Sequence, residues 1–211
     1  MAQRLRTKRS TSTRAKKRKH EVTIIVEGKT EEEYFKAYKK KGELNTVEVK
    51  DNGTRTSPLQ IVKALLKERE DDSRLEFVAV FDHRKEKGSN TDDDIYHKAI
   101  KLCQKEKFIA ITSKPSFEFW LILHFKNTNC SMTADEATKE LNKLYRNELN
   151  KDYKKGSHCT FEDTQEHIQK AKERSEQIWN EEEKEKGSYT NVHELINILQ
   201  RKSGPKTPIT P

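Results

Sequence analysis

The sequence predicts an α/β fold: a parallel sheet of roughly four strands flanked by helices, with further helices toward the C-terminus. Three observations carry this reading. The runs Val22-Thr23-Ile24-Ile25-Val26 and Phe77-Val78-Ala79-Val80-Phe81 are rich in β-branched and aromatic residues at successive positions, as suits strands buried on both faces. Helical patterns separate the strands at intervals that fit crossover connections. Charged residues make up 37% of the 211 and hydrophobic ones 31%, so the core is expected to be compact and the outer helix faces solvated.

After the first strand, Thr30-Glu31-Glu32-Glu33 reads as a capping box opening a helix through Lys41, which Gly42 stops. Thr46-Val47-Glu48-Val49 is a second, weaker strand. Ser57-Pro58 supplies an N-cap and first-turn proline for a helix with Leu59, Ile61, Val62, Leu65 and Leu66 on its apolar side. The third strand, Phe77 to Phe81, ends at Asp82. A polar loop over residues 83–91 follows, then a helix with Asp92, Asp93 and Asp94 near its N-terminus and Ile95, Ala99, Ile100 and Cys103 facing inward. Phe108 to Thr112 is the fourth strand, and Lys114-Pro115-Ser116 turns into an apolar helix begun at Pro115, in which Trp120 and Leu123 are core. Helices are expected over about Thr133 to Leu149, Thr164 to Asn180 and Asn191 to Gln200, with a loop near Lys154 to Thr160. This divides the chain into an arm (1–20), an α/β core (21–127), a helical extension packed on it (128–202) and a fraying tail (203–211).

The formal net charge of +8 resides in the arm. Residues 1–20 hold nine Lys or Arg and no acid, which leaves 34 basic and 35 acidic residues elsewhere. Such an arm is expected to be disordered when free, and either attracts phosphates without base specificity or simply aids solubility. No apolar run reaches the roughly 18 residues of a spanning helix, and the basic N-terminus lacks the apolar segment of a secretory signal, so a cytoplasmic location is expected. Cys103, Cys130 and Cys159 are widely spaced and in no CxxC arrangement, which argues against a disulfide framework or zinc site. No Walker A, HExxH or GxSxG run supports an ATPase, zinc protease or esterase.

In parallel sheets, functional groups gather beyond the carboxyl ends of the strands. That places Glu27, Asp82 and the turn over residues 113–118 at one rim. Glu27-Gly28 follows the first strand directly, and Gly28 lets the chain turn without a Cβ clash. Glu31 lies one helical turn on, close enough to share a cation with Glu27, while Glu32 and Glu33 serve the helix dipole. Converging carboxylates are expensive unless neutralised, and hard oxygen donors suit Mg²⁺. The residues alone leave two accounts open, a divalent-metal site or a capped, salt-bridged pair. Glu118 is either a helix-terminal acid or a ligand. His124 reads as a structural histidine.

The strand-end Glu27 with Gly28 and the later Phe77 to Asp82 resemble the TOPRIM (topoisomerase/primase) domain. A closer resemblance is to RloB-like proteins, related to the TOPRIM nucleases of ATPase-linked anti-phage defence. It is carried by Val26-Glu27-Gly28-Lys29-Thr30-Glu31-Glu32-Glu33-Tyr34-Phe35, by Val80-Phe81-Asp82, by the block from Ser113 to Phe125, and by Thr190-Asn191-Val192-His193. The likeness spans about Val22 to Leu199. It implies a TOPRIM-like Rossmannoid core and a Mg²⁺ or Mn²⁺ site. Glu27, Glu31, Asp82 and Glu118 are the implied metal ligands, Glu27 and Asp82 the implied catalytic pair, and Lys29, Arg84, Lys85 and Ser116 the implied nucleic-acid contacts. The implied activity is endonucleolytic cleavage of RNA or DNA, alongside an ABC-type or structural-maintenance-like ATPase partner.

One position departs from the family pattern. Where TOPRIM domains carry Asp-x-Asp, this chain reads Asp82-His83-Arg84, and a guanidinium holds phosphate but not Mg²⁺. Glu86 or Asp92 to Asp94 are the available substitutes. Without them the expectation shifts to a non-catalytic subunit that binds nucleic acid or an ATPase.

Overall fold

The structure is a computed structural model in which residues 20–53, 57–69, 75–84, 90–179 and 187–203 are described. The expected arm and tail, apart from His20 and Ser203, and the loop residues 85–89 lie outside them. Five strands, β1 (Val22–Val26), β2 (Val47–Asp51), β3 (Glu76–Asp82), β4 (Ile109–Lys114) and β5 (Tyr189–Thr190), form one sheet in the order β2-β1-β3-β4-β5. The first four run parallel, with Val26 beside both Asp51 and Val80, and Asp82 beside Ser113. The two-residue β5 adds antiparallel to β4 through Ser113 and Thr190.

Eight α-helices accompany the sheet among the described residues: α1 (Lys29–Lys41), α2 (Pro58–Glu68), α3 (Asn90–Glu106), α4 (Glu118–Phe125), α5 (Ala134–Leu149), α6 (Thr160–Thr164), α7 (Ile168–Ile178) and α8 (Val192–Lys202). The two-residue alternation of the strands sorts their side chains between two faces. Val22, Ile24, Val26, Val47, Val49, Val78, Val80 and Ile111 face a large core shared with α1 and with α4 to α8. Ile25, Phe77, Ala79 and Phe81 face a smaller one under α2 and α3. Both faces are covered, which is why these strands are continuously apolar. Fully buried side chains such as Trp120, Phe35 and Leu121 each contribute roughly 1.5–3 kcal/mol.

Local sequence explains most boundaries. Ser57 and Gln60 form a capping box at α2, and Thr133 with Glu136 forms another at α5. Gly42 closes α1 by donating its N–H to Tyr38 O. The expected box at Thr30 does not form. α1 begins at Lys29 after Gly28, and Thr30 is buried with its hydroxyl accepting from the Gly156 N–H at 2.9 Å. A tertiary donor has taken the oxygen that a cap would have used. Similarly, α3 starts at Asn90 inside the expected loop, α4 starts at Glu118 rather than Pro115, and the expected helix over Thr164 to Asn180 is divided by a 3₁₀ turn at Gln165–His167.

The C-terminal region does more than pack on the sheet. Besides supplying β5, it sends Asn191 along β4: the Asn191 side chain accepts from Thr112 N–H at 2.6 Å and donates to Ala110 O at 3.0 Å. A side-chain amide thus pairs with strand backbone as another strand would. Thr190 adds a hydroxyl contact to Ser113 at 2.8 Å, and His193 meets Ser175 at 2.7 Å. No helix of the described residues is long and apolar enough to cross a membrane.

Candidate functional site: an acidic rim capped by two cations

Parallel registry brings Glu27 level with the end of β3. Glu27 Oε2 accepts the Asp82 backbone N–H at 2.9 Å, so the first acid braces the backbone of the second. Arg84 then folds back over both. One guanidinium nitrogen lies 2.9 Å from Glu27 Oε1 and 3.3 Å from Asp82 Oδ2. The departure from Asp-x-Asp therefore points into the site.

Glu31 reaches the same place from the first turn of α1. Gly28 has an extended backbone, φ −142°, that any residue adopts, so its value here is space and not conformational freedom. A Cβ at Gly28 would sit 3.0 Å from Glu31 Oε2. The missing side chain lets the Glu31 carboxylate lie back over the strand end.

Glu118 enters from the start of α4 and is almost fully buried. Ser116 donates to its Oε2 at 2.6 Å, Tyr153 donates to its Oε1 at 3.2 Å, and Lys155 Nζ stands 3.1 Å from the same oxygen. Ser116 is thus buried beneath the acid and holds it, in place of the surface contact to nucleic acid that was expected. Tyr153 and Lys155 come from the segment after α5, which is pinned where Tyr153 N–H donates to Asn142 Oδ1 and Gly156 N–H to Thr30.

The four carboxylates feel one another. Burial raises the Glu31 pKa to about 7, with the charges of Glu118 and Glu27 adding to it. Asp82 is pushed well above the usual carboxylate range by burial and then by Glu31 and Glu27. Glu27 is also raised by burial, against the opposing pull of Arg84. Glu118 goes the other way: burial works to raise it, but Lys155 and the Ser116 hydroxyl together outweigh that and lower its pKa.

The donor set consists of four hard oxygen acids, the donor type that divalent cations such as Mg²⁺ take. The arrangement is nevertheless held by Arg84 and Lys155, and among the described residues no three Asp, Glu, His or Cys side chains are grouped as they would be around one ion.

The neighbouring residues divide clearly. Lys29 is exposed at the mouth of α1 and lies 2.7 Å from both Glu32 and Glu33. Lys85 and Glu86 lie outside the described residues. Asp93 does not substitute for the second aspartate. It accepts from His83 Nε2 at 2.8 Å and lies 3.5 Å from His97 Nε2. Because a carboxylate only accepts, His83 carries its proton on Nε2 and its Nδ1 accepts from Tyr189 at 2.6 Å. His83 also stacks on Tyr96 at 3.8 Å, and its N–H donates to Ser113 O, which fixes the chain between Asp82 and Arg84. His124 is structural: it is buried between Trp120 O and the Tyr34 hydroxyl, and burial lowers its pKa to about 3.

Sequence reasoning missed Lys155, Tyr153 and the anchoring of His83. The only local signal for the first two is an aromatic and two lysines leading into Gly156, whose φ of +72° marks a turn. Nothing local says that this turn reaches the acids.

The fold and site together define an α/β protein with a cation-capped acidic centre at the carboxyl edge of its parallel strands. The chain belongs to the RloB-like protein family, whose model matches residues 22–199. No curated protein and no solved structure matches the chain.

Proposed function

We propose that this RloB-like protein is a divalent-metal-dependent, TOPRIM-type endonuclease that cleaves RNA or DNA phosphodiesters as a cytoplasmic effector of anti-phage defence, working beside an ABC-type or structural-maintenance-like ATPase. The observation that carries the reading is the convergence of Glu27, Glu31, Asp82 and Glu118 from four separate elements, with burial raising the pKa of Glu27, Glu31 and Asp82 and the charges of neighbouring acids raising Glu31 and Asp82 further. These four carboxylates would hold Mg²⁺ or Mn²⁺. When bound, such ions neutralise the attacking and leaving oxygens of a phosphodiester. Glu27 has the raised pKa that suits proton transfer at that centre, and its grip on the Asp82 N–H orients it. Ser116 and Tyr153 keep Glu118 in place.

The test combines purified protein, Mg²⁺ or Mn²⁺, any genetically neighbouring ATPase, and plasmid, tRNA and total RNA as substrates. Cleavage is expected, and Glu27→Gln is expected to abolish it together with cellular toxicity. Intact substrates, or toxicity unchanged in Glu27→Gln, would sink the proposal.

A second reading is favoured by Arg84, which neutralises Glu27 and Asp82 from within. It makes the protein a non-catalytic subunit that binds nucleic acid or an ATPase through Lys29, Arg84, Lys85 and the basic arm. Divalent-ion affinity unchanged by Asp82→Asn would support it. Nucleic-acid binding that ignores salt, or that survives removal of residues 1–19 undiminished, would count against its electrostatic basis.

A further inference from the structure

The acidic centre is layered. The carboxylates lie beneath, with side chains of Glu118, Asp82 and Glu27 only 2%, 5% and 9% exposed. The cations that reach them lie above, with Lys155 64% and Arg84 56% exposed. Arg84 is bound to two acids and sits two residues beyond the end of β3, so its reach is short. Lys155 has one strong partner, Glu118 Oε1, and extends to it from a turn whose backbone is separately fixed at Tyr153 and Gly156. Its long, flexible stem can therefore move without disturbing the turn.

Glu118 would remain well held if Lys155 left. Ser116 and Tyr153 donate to its two oxygens from buried positions, so its orientation does not depend on the ammonium. Lys155 supplies charge, and that charge is positioned where a divalent ion would need Glu118. Glu31 provides an independent sign that the centre accepts more positive charge. Glu31 is buried, 5% exposed, and its pKa stays raised although its own backbone N–H and the charge of Lys155 both act to lower it.

We propose that Lys155 is a built-in competitor for the divalent cation, an exchangeable ammonium that neutralises Glu118 and must swing into solvent before an ion takes that carboxylate. The inference rests on the metal-binding reading above and adds a determinant of affinity to it. Exchange replaces one positive charge with two, so the ion also relieves Glu31 and Asp82, whose repulsion the ammonium leaves largely unrelieved. The Lys155 side chain is already 64% exposed, so its ammonium regains water by a short movement, which keeps the exchange reversible.

The test is calorimetric titration of the full chain with Mn²⁺, comparing wild type, Lys155→Gln and Lys155→Arg. Lys155→Gln is expected to bind Mn²⁺ about three- to tenfold more tightly, because the competitor is gone. Lys155→Arg, which keeps the charge, is expected to stay close to wild type. A second readout is thermal unfolding: in EDTA the Gln variant should melt below wild type, and Mn²⁺ should raise its midpoint by more than it raises that of wild type. Wild-type binding that is equal to or tighter than that of Lys155→Gln overturns the competitor role and leaves the metal site standing. Binding by Lys155→Gln alone supports the role in its strongest form. Binding by none of the three overturns both the role and the metal reading.

Discussion

Arg84 lies across Glu27 and Asp82, 2.9 Å from one carboxylate and 3.3 Å from the other, and so occupies the charge position that a second aspartate would take in an Asp-x-Asp motif. The chain thereby carries a positive charge where the TOPRIM pattern that its sequence resembles implies a ligand. A buried acid pair left without that charge must either protonate or recruit a cation.

Arg84→Gln is accordingly expected to lower stability in EDTA by about 1–2 kcal/mol, a value reduced from that of a fully buried pair because the guanidinium is more than half exposed. Mn²⁺ should then stabilise this variant more than wild type. Chemical denaturation with and without the ion measures both effects. A variant whose stability matches wild type in EDTA would show that the bridge contributes nothing.

Glu31 gives a pH signature. Its folded pKa, about 7, lies above the ordinary value of 4.5 expected in the unfolded chain. Below 4.5 both states hold the proton and the group contributes no difference. From 4.5 to 7 the unfolded state releases it first, so stability falls as pH rises, and above 7 the loss is complete. Glu31→Gln has no such loss. It is expected to be more stable than wild type at pH 8 by about 1–3 kcal/mol, with the advantage shrinking toward pH 4.5. Urea midpoints at pH 4.5, 6 and 8 without divalent ions test this, and a constant offset across them would refute it.

Gly28→Ala should act through Glu31. The added methyl would stand 3.0 Å from Glu31 Oε2, and the extended backbone itself tolerates alanine. Stability is expected to change by less than about 1 kcal/mol while Mn²⁺ affinity falls several-fold. Unchanged affinity, measured by titration, would remove Glu31 from the set of ligands.

Asn191→Ala removes both side-chain bonds to β4 and leaves the Thr112 N–H and Ala110 O without them. Two lost bonds with one fully buried donor predict destabilisation by about 2–4 kcal/mol. Denaturant unfolding with an unchanged m-value is the expected form. A loss under about 0.5 kcal/mol would mean that the edge of β4 is held by β5 alone.

Much of this was legible because it is local. The apolar runs of β1 and β3 cannot be satisfied except inside a two-sided sheet, and that alone puts Glu27 and Asp82 at one rim. Ser57 and Thr133 cap their helices because their partners, Gln60 and Glu136, lie three residues away. Thr30 has the same local grammar and fails it, because Gly156, 126 positions away, takes its hydroxyl. β5 escaped notice for a related reason. Two residues carry no periodicity, and Tyr189–Thr190 becomes a strand only when β4 offers an open edge and Asn191 continues the pairing.

By itself the sequence determined the α/β class, the strand ends that bear acids, the family resemblance and the presence of Arg84, since each depends on residue type and spacing over a few positions. Only the tertiary structure decided that Arg84 turns inward, that Gly28 makes room for Glu31, and that Lys155 returns from beyond α5 to cover Glu118. Those are contacts between groups far apart along the chain, and their charges act through space, so no local pattern records them.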